Sequence, residues 1–189
     1  MHICFFAILF FCAAAHAGLN SLQVWARVAS TVVTDRAIYI ECLLENPKLW
    51  KGSVADIPIE VQNQSFQRLL VQAMTLEEHR IFRSENVGSE EINQEIRRLE
   101  SSLGAQYKNL LKFFDLSETI LRDKILARIL LEKSLKSRVK NYAQNMSEKD
   151  QQRVIEDWIS QLRGRYRVQN YRLDRNNPRL KLVSEDAPL

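Results

Sequence analysis

Residues 120–131 read Ile-Leu-Arg-Asp-Lys-Ile-Leu-Ala-Arg-Ile-Leu-Leu, and they lie within a long helix that the pattern predicts over about 117–141. Neither Gly nor Pro interrupts this helix, and Asp115 or Ser117 can cap its start. Its apolar residues are spread around much of the helix circumference instead of forming one stripe. A helix of that kind is usually central to its domain, so we expect the other elements to pack around it.

Further helices are predicted on both sides of this central helix. Apolar residues recur at helical spacing, and Ser, Thr or Asp stands where several of these segments begin. The predicted helices cover 37–44, 58–83, 89–103 and 147–163. A short apolar segment lies between the last two of them, at 107–114.

Two segments at opposite ends of this helical series read as β-strands. Residues 24–33 are rich in β-branched side chains, and residues 166–173 follow the last helix. Two lone strands in one domain most simply pair with each other, which would tie the ends of the chain together. The sequence therefore predicts a mainly α fold whose N-terminal and C-terminal strands pair.

The chain divides into three parts. An unbroken run of apolar or small residues at 3–15, followed by Ala-His-Ala at 15–17, predicts a secretory signal peptide over 1–17. We expect a single domain over 18–173 and a basic, flexible tail over 174–189. The protein is therefore expected to be exported to the periplasm, with no membrane span in the mature chain; lipidation at Cys12 is disfavoured because Phe11 precedes it.

Loss of the leader removes most of the chemistry that the composition suggests. One Cys (Cys42) and one His (His79) remain, so an intrachain disulfide and a His/Cys zinc site are both excluded. The chain has no Gly-x-Ser-x-Gly motif and no Gly-rich phosphate loop. We therefore expect no cofactor, no metal, no catalytic residues and no enzymatic activity.

The positive charge is concentrated near the C-terminus. Residues 162–181 carry seven Lys or Arg and one acid, whereas residues 18–161 sum to zero. Export argues against nucleic acid as the partner, which leaves anionic lipid surfaces, acidic polypeptides or a solvated strand edge. The residues singled out as a basic patch are Arg163, Arg165, Arg167, Arg172 and Arg175.

Four short motifs follow one another along about 150 residues. The first is Val-Trp-Ala-Arg-Val at 24–28, with Val-Val-Thr-Asp-Arg at 32–36, and the second is Phe-Gln-Arg-Leu-Leu at 66–70, followed by Met74 and Glu-Glu at 77–78. The third is Val-Gly-Ser-Glu-Glu-Ile at 87–92, and the fourth is 155–168, with Trp-Ile, Leu-Arg and Tyr-Arg-Val in that order. In order and spacing, the set resembles the N-terminal chaperone domain of SurA and related parvulin-associated periplasmic proteins.

The resemblance implies a fold and a function. It implies a helical chaperone-type domain that holds unfolded or outer-membrane polypeptides in the periplasm without catalysis. Members of the family often carry a parvulin domain between their last two helices, but here only residues 141–146 separate those helices. Prolyl isomerase activity is therefore not implied.

A chaperone of this kind needs exposed apolar surface that an unfolded polypeptide can bury. The candidates for binding client polypeptides are Met74, Tyr107, Leu110, Leu111, Phe113 and Phe114. The same residues stand at helical spacing, so a place in the core is the alternative for each of them.

Two other functions stay open at this point. The protein could be a structural or adaptor protein that keeps the SurA-like fold and binds one dedicated partner. It could also associate with a second copy of itself, which would close an apolar groove. Binding of many different unfolded polypeptides would distinguish a chaperone from an adaptor and from a self-associating protein.

Overall fold

The computed structural model describes residues 23–82, 86–142, 146–174 and 177–183. The predicted signal peptide, residues 1–17, lies outside the described residues, as does 184–189. Six α-helices account for most of the described chain, which confirms the mainly α fold class. They are α1 (Asp35–Glu45), α2 (Ile59–Phe82), α3 (Ser89–Leu103), α4 (Gln106–Phe113), α5 (Glu118–Tyr142) and α6 (Glu148–Arg165).

The N-terminal segment forms a hairpin and not the single strand expected over 24–33. Strand β1 (Val24–Val28) pairs antiparallel with β2 (Thr31–Thr34), and Ala29 and Ser30 form the turn. Ala29 adopts a positive φ of 50°. That conformation is uncommon for a residue other than Gly, Asn or Asp, which is why no turn signal stands out in the sequence.

The N-terminal and C-terminal strands pair in one antiparallel sheet, as expected from the two lone strands in the sequence. β3 (Val168–Asp174) pairs with β1, with Val168 opposite Val28 and Asn170 opposite Ala26. A further strand, β4 (Asn177–Val183), pairs with β3 and gives the order β2-β1-β3-β4. β4 lies within the segment 174–189 for which the sequence predicts a flexible tail.

Helix α5 contacts α2, α3 and α6, in agreement with its expected central position. The largest group of buried side chains joins β1, α1, α2, α4 and α6 with residues of α5. Three residues proposed for client binding belong to this core: Met74, Leu110 and Phe114 are 0 %, 1 % and 1 % exposed. None of the helices in the described part of the chain combines the length and apolar character that crossing a bilayer requires.

Thr34 begins α1 as its N-cap, because its Oγ1 accepts a hydrogen bond from the Ala37 backbone N–H at 3.2 Å. We expect Thr34→Ala to lower the free energy of unfolding by about 1 kcal/mol, since a helical N–H loses its partner. Thr34→Ser keeps the oxygen and should cost much less. Urea denaturation of both variants tests the cap, and equal losses would contradict it.

Candidate functional site

An apolar groove of about 270 Å³ opens between β2 and three helices. Strand β2 forms one wall, α1 and α2 contribute the next, and the start of α5 lies opposite. The side chains and backbone that line it come from Thr31, Val32, Val33, Ala37, Glu41, Leu69, Gln72, Ala73, Leu76, Ile120, Asp123, Lys124 and Ala127.

Two large apolar side chains stand exposed at this groove. Val32 of β2 is 48 % exposed, and Ile120 in the first turn of α5 is 43 % exposed. Both line the groove together with Leu69, Ala73 and Leu76 of α2. An apolar concavity with exposed apolar residues is the type of surface that binds other molecules.

Strand β2 also offers hydrogen-bonding groups to this region. It is an edge strand, because β1 is its only strand neighbour among the described residues. In an antiparallel pair, every second residue directs its N–H and C=O away from the partner strand. The outer side of β2 therefore carries backbone groups that another extended segment could pair with.

A buried carboxylate lies in the wall of the groove. Glu41 of α1 is 2 % exposed, and its Oε1 accepts hydrogen bonds from Arg128 Nη1 at 2.7 Å and from Gln72 Nε2 at 2.9 Å. Burial raises the pKa of the Glu41 carboxyl, while Arg128 and Gln72 act in the opposite direction. Sequence reasoning missed this residue; an acid between Ile40 and Cys42 on an apolar helix was the available signal.

Lys124 is the second charged residue of the groove, and its situation differs from that of Glu41. It takes part in none of the ion pairs that the described residues form. Burial lowers the pKa of Lys124, partly offset by the Glu41 charge, and the nearby Arg36 lowers it further. The groove therefore contains a half-buried ammonium that forms no direct ion pair among the described residues, although the Glu41 charge acts on it.

The residues proposed for client binding do not form this groove. Met74, Leu110 and Phe114 are buried in the core, which is the alternative that their helical spacing allows, and they do not supply the exposed surface expected of them. Tyr107 and Leu111 are half-buried and pack on the core clusters. Phe113 is 36 % exposed but stacks edge-on against Trp50 and Phe114 at 5.0 Å. Of the six, only Phe113 is an exposed side chain.

Two residues of the predicted basic patch contact side chains of α2. Arg163 donates to Gln67 Oε1 at 3.2 Å, and Arg165 forms a 2.8 Å ion pair with Glu78. Arg167 is exposed. Arg172 lies in β3, opposite Lys181 of β4, and Arg175 lies outside the described residues.

Cys42 and His79 do not form a reactive pair. Cys42 is fully buried in α1, its Sγ lies 3.7 Å from the Val61 carbonyl, and burial raises the pKa of the thiol. A buried thiol of raised pKa is a poor nucleophile. His79 lies near the end of α2, where its buried Nδ1 has no hydrogen-bond partner among the described residues. Within the same residues, no cluster of three or more His, Cys, Asp or Glu is arranged to hold a metal.

Comparison with known proteins gives no family for this chain: no protein-family model matches it, and no curated protein is similar to it.

Proposed function

We propose that the protein is a non-catalytic, chaperone-like protein of the periplasm that binds unfolded or outer-membrane polypeptides in the groove beside β2. The observation that carries the proposal is the combination of an open apolar groove with a free strand edge. The expected location rests on the predicted leader at 1–17. The resemblance to SurA-type chaperone domains supports the same role.

The size and lining of the groove suit an unfolded segment better than a folded partner. Its volume of about 270 Å³ accommodates a few side chains, and most of its lining is aliphatic. An unfolded chain exposes such side chains together with unpaired backbone groups. Transfer of the side chains from water favours binding without requiring one sequence, because the hydrophobic effect is not directional.

The first test is suppression of aggregation. The purified protein at near-stoichiometric amounts is expected to reduce light scattering by an unfolded outer-membrane protein diluted from urea. Ile120→Asp should abolish most of this effect, since it places a charge at the rim of the groove. Ile59→Asp is the matched control: Ile59 is also in a first helical turn and is 51 % exposed, but it lies outside the groove.

The outcomes separate the proposal from its failure. Loss of suppression in Ile120→Asp with full suppression in Ile59→Asp supports the groove as the binding site. Equal suppression by both variants would place binding elsewhere. Absence of suppression by the unaltered protein would overturn the proposed function.

An adaptor function is the second candidate, and a different surface favours it. Ile81 and Phe82, at the end of α2, are 62 % and 59 % exposed, and Arg165 lies over the Phe82 ring. Adjacent exposed apolar side chains with a neighbouring Arg are typical of protein contact surfaces. A pull-down that recovers one protein in stable complex, lost in Phe82→Ser, would decide for the adaptor.

A further inference from the structure

We propose that the segment bound in the groove is extended, pairs with the outer edge of β2 as an added strand, and carries an acidic side chain that forms an ion pair with Lys124. The inference rests on the proposed function and goes beyond it by naming the chemistry of the bound segment. It combines two features of one site: β2 is the edge strand of the sheet, and Lys124 forms no direct ion pair among the described residues.

The strand edge fixes the shape of the bound segment. Val32 and Val33 of β2 both line the groove, and β2 is the edge strand of the sheet. A polypeptide that pairs with this edge must be extended, with successive side chains on opposite faces. Every second side chain of the bound segment would then enter the groove, while its backbone pairs with β2.

The charges around Lys124 indicate the sign of the group that enters. Oε1 of Glu41 accepts hydrogen bonds from Arg128 and Gln72, and the Glu41 charge offsets only part of the effect of burial on the pKa of Lys124. Asp123 is exposed, so water screens its charge, whereas Lys124 is half-buried. Arg36 adds positive charge nearby, with its guanidinium hydrogen-bonded to the backbone carbonyls of Phe114 and Asp115. A carboxylate on the bound segment would therefore complete the charge pairing of the groove.

The ion pair should favour the acidic segment over its neutral isostere. A half-buried ammonium has lost part of its hydration, and a bound carboxylate would restore favourable interactions that an amide restores less well. A charge-assisted hydrogen bond in such a site corresponds to about a tenfold change in affinity. The selectivity should disappear when the ammonium is removed.

The test uses two capped peptides of alternating apolar and small polar residues, one with a central Glu and one with Gln at that position. The full chain is expected to bind the Glu peptide about tenfold more tightly in a fluorescence anisotropy titration. Lys124→Met, which keeps a long side chain, should bind both peptides equally. Lys108→Met removes an exposed Lys of α4 as the control and should keep the tenfold preference.

Three further arms complete the design. Thermal melts establish that Lys124→Met is folded, which is expected because the substitution removes a desolvated charge. Two versions of the Glu peptide carry methyl groups on alternate backbone nitrogens, one at the odd and the other at the even positions. Only the version whose methylated nitrogens face β2 should lose binding. A peptide with Gln at the centre and a free C-terminal carboxylate should bind like the Gln peptide.

The results distinguish this inference from the proposed function. Equal affinity of the unaltered protein for the Glu and Gln peptides, or a preference set by the C-terminal carboxylate, would overturn the inference and leave the proposed function standing. Equal loss in both methylation registers would overturn strand addition. No binding of either peptide and no effect on aggregation would overturn both.

Discussion

Replacing Phe114 by Ala is expected to lower the free energy of unfolding by about 4 kcal/mol, within the range for deletion of a buried aromatic side chain. The Phe114 side chain is 1 % exposed, and its ring packs against those of Trp50 and Phe113, with centroids 6.0 and 5.0 Å away. Ala would leave a cavity where the end of α4 meets the core. Since small domains have only about 5–15 kcal/mol of stability, the loss should be obvious in urea denaturation.

The neighbouring residue provides the control for this prediction. Phe113 is 36 % exposed, so Phe113→Ala removes edge contacts with two aromatic rings but creates no enclosed cavity. Its cost should be about 1 kcal/mol. If the two substitutions cost the same, the assignment of Phe114 to the core and Phe113 to the surface would be wrong.

Replacing Glu41 by Ala is expected to cost about 3 kcal/mol, because the Arg128 guanidinium and the Gln72 amide both lose their buried acceptor. The Arg128 side chain is only 18 % exposed, so water can replace the carboxylate only in part. The substitution would also leave the Arg128 guanidinium without its ion-pair partner. Thermal and urea unfolding of the variant measure the loss.

A double substitution separates the ion pair from simple truncation of Glu41. Replacing both members with apolar residues, Glu41→Leu with Arg128→Met, removes two desolvation penalties together with the attraction between the charges. Such replacements are often neutral or stabilising, so most of the stability should return. A double variant as unstable as Glu41→Ala would show that the pair itself does not account for the loss.

The helices and their order could be predicted from the sequence because their signals are local. The spacing of apolar residues and the caps predicted a helix over 58–83, and α2 occupies Ile59–Phe82. The helix predicted from 117 is α5, which begins at Glu118, with the Ser117 hydroxyl accepting from the Ile120 N–H. The pairing of the end strands followed from topology, since two lone strands have no simpler partner.

The N-terminal hairpin and β4 could not be predicted in the same way. The turn uses Ala29 at positive φ, and nothing in the residue type indicates that conformation. β4 contains Pro178 and alternates basic with apolar residues, a composition that also fits a solvated tail. It forms because β3 provides a neighbouring edge, which is a tertiary effect on a weak local preference.

The groove was missed because no single segment contains it. Val32, Glu41, Gln72 and Lys124 come from four elements, and their proximity depends on how α1, α2 and α5 pack. Sequence reasoning instead selected large apolar residues that stand close to other apolar residues in the chain. Such residues are usually buried, as Met74, Leu110 and Phe114 are. An isolated exposed residue such as Ile120 has no signature in the sequence, whereas the Glu within the apolar face of α1 was a detectable one.

The pairing of β1 with β3 determines when the sheet can form during folding. Val28 and Val168 lie opposite each other but are separated by 140 positions in the chain. Closing so long a loop costs about 4 kcal/mol of chain entropy, and an isolated hairpin is at best marginally stable. The helices, whose contacts are closer in the chain, can therefore begin to pack first, while the sheet that joins the N-terminal and C-terminal strands is completed last.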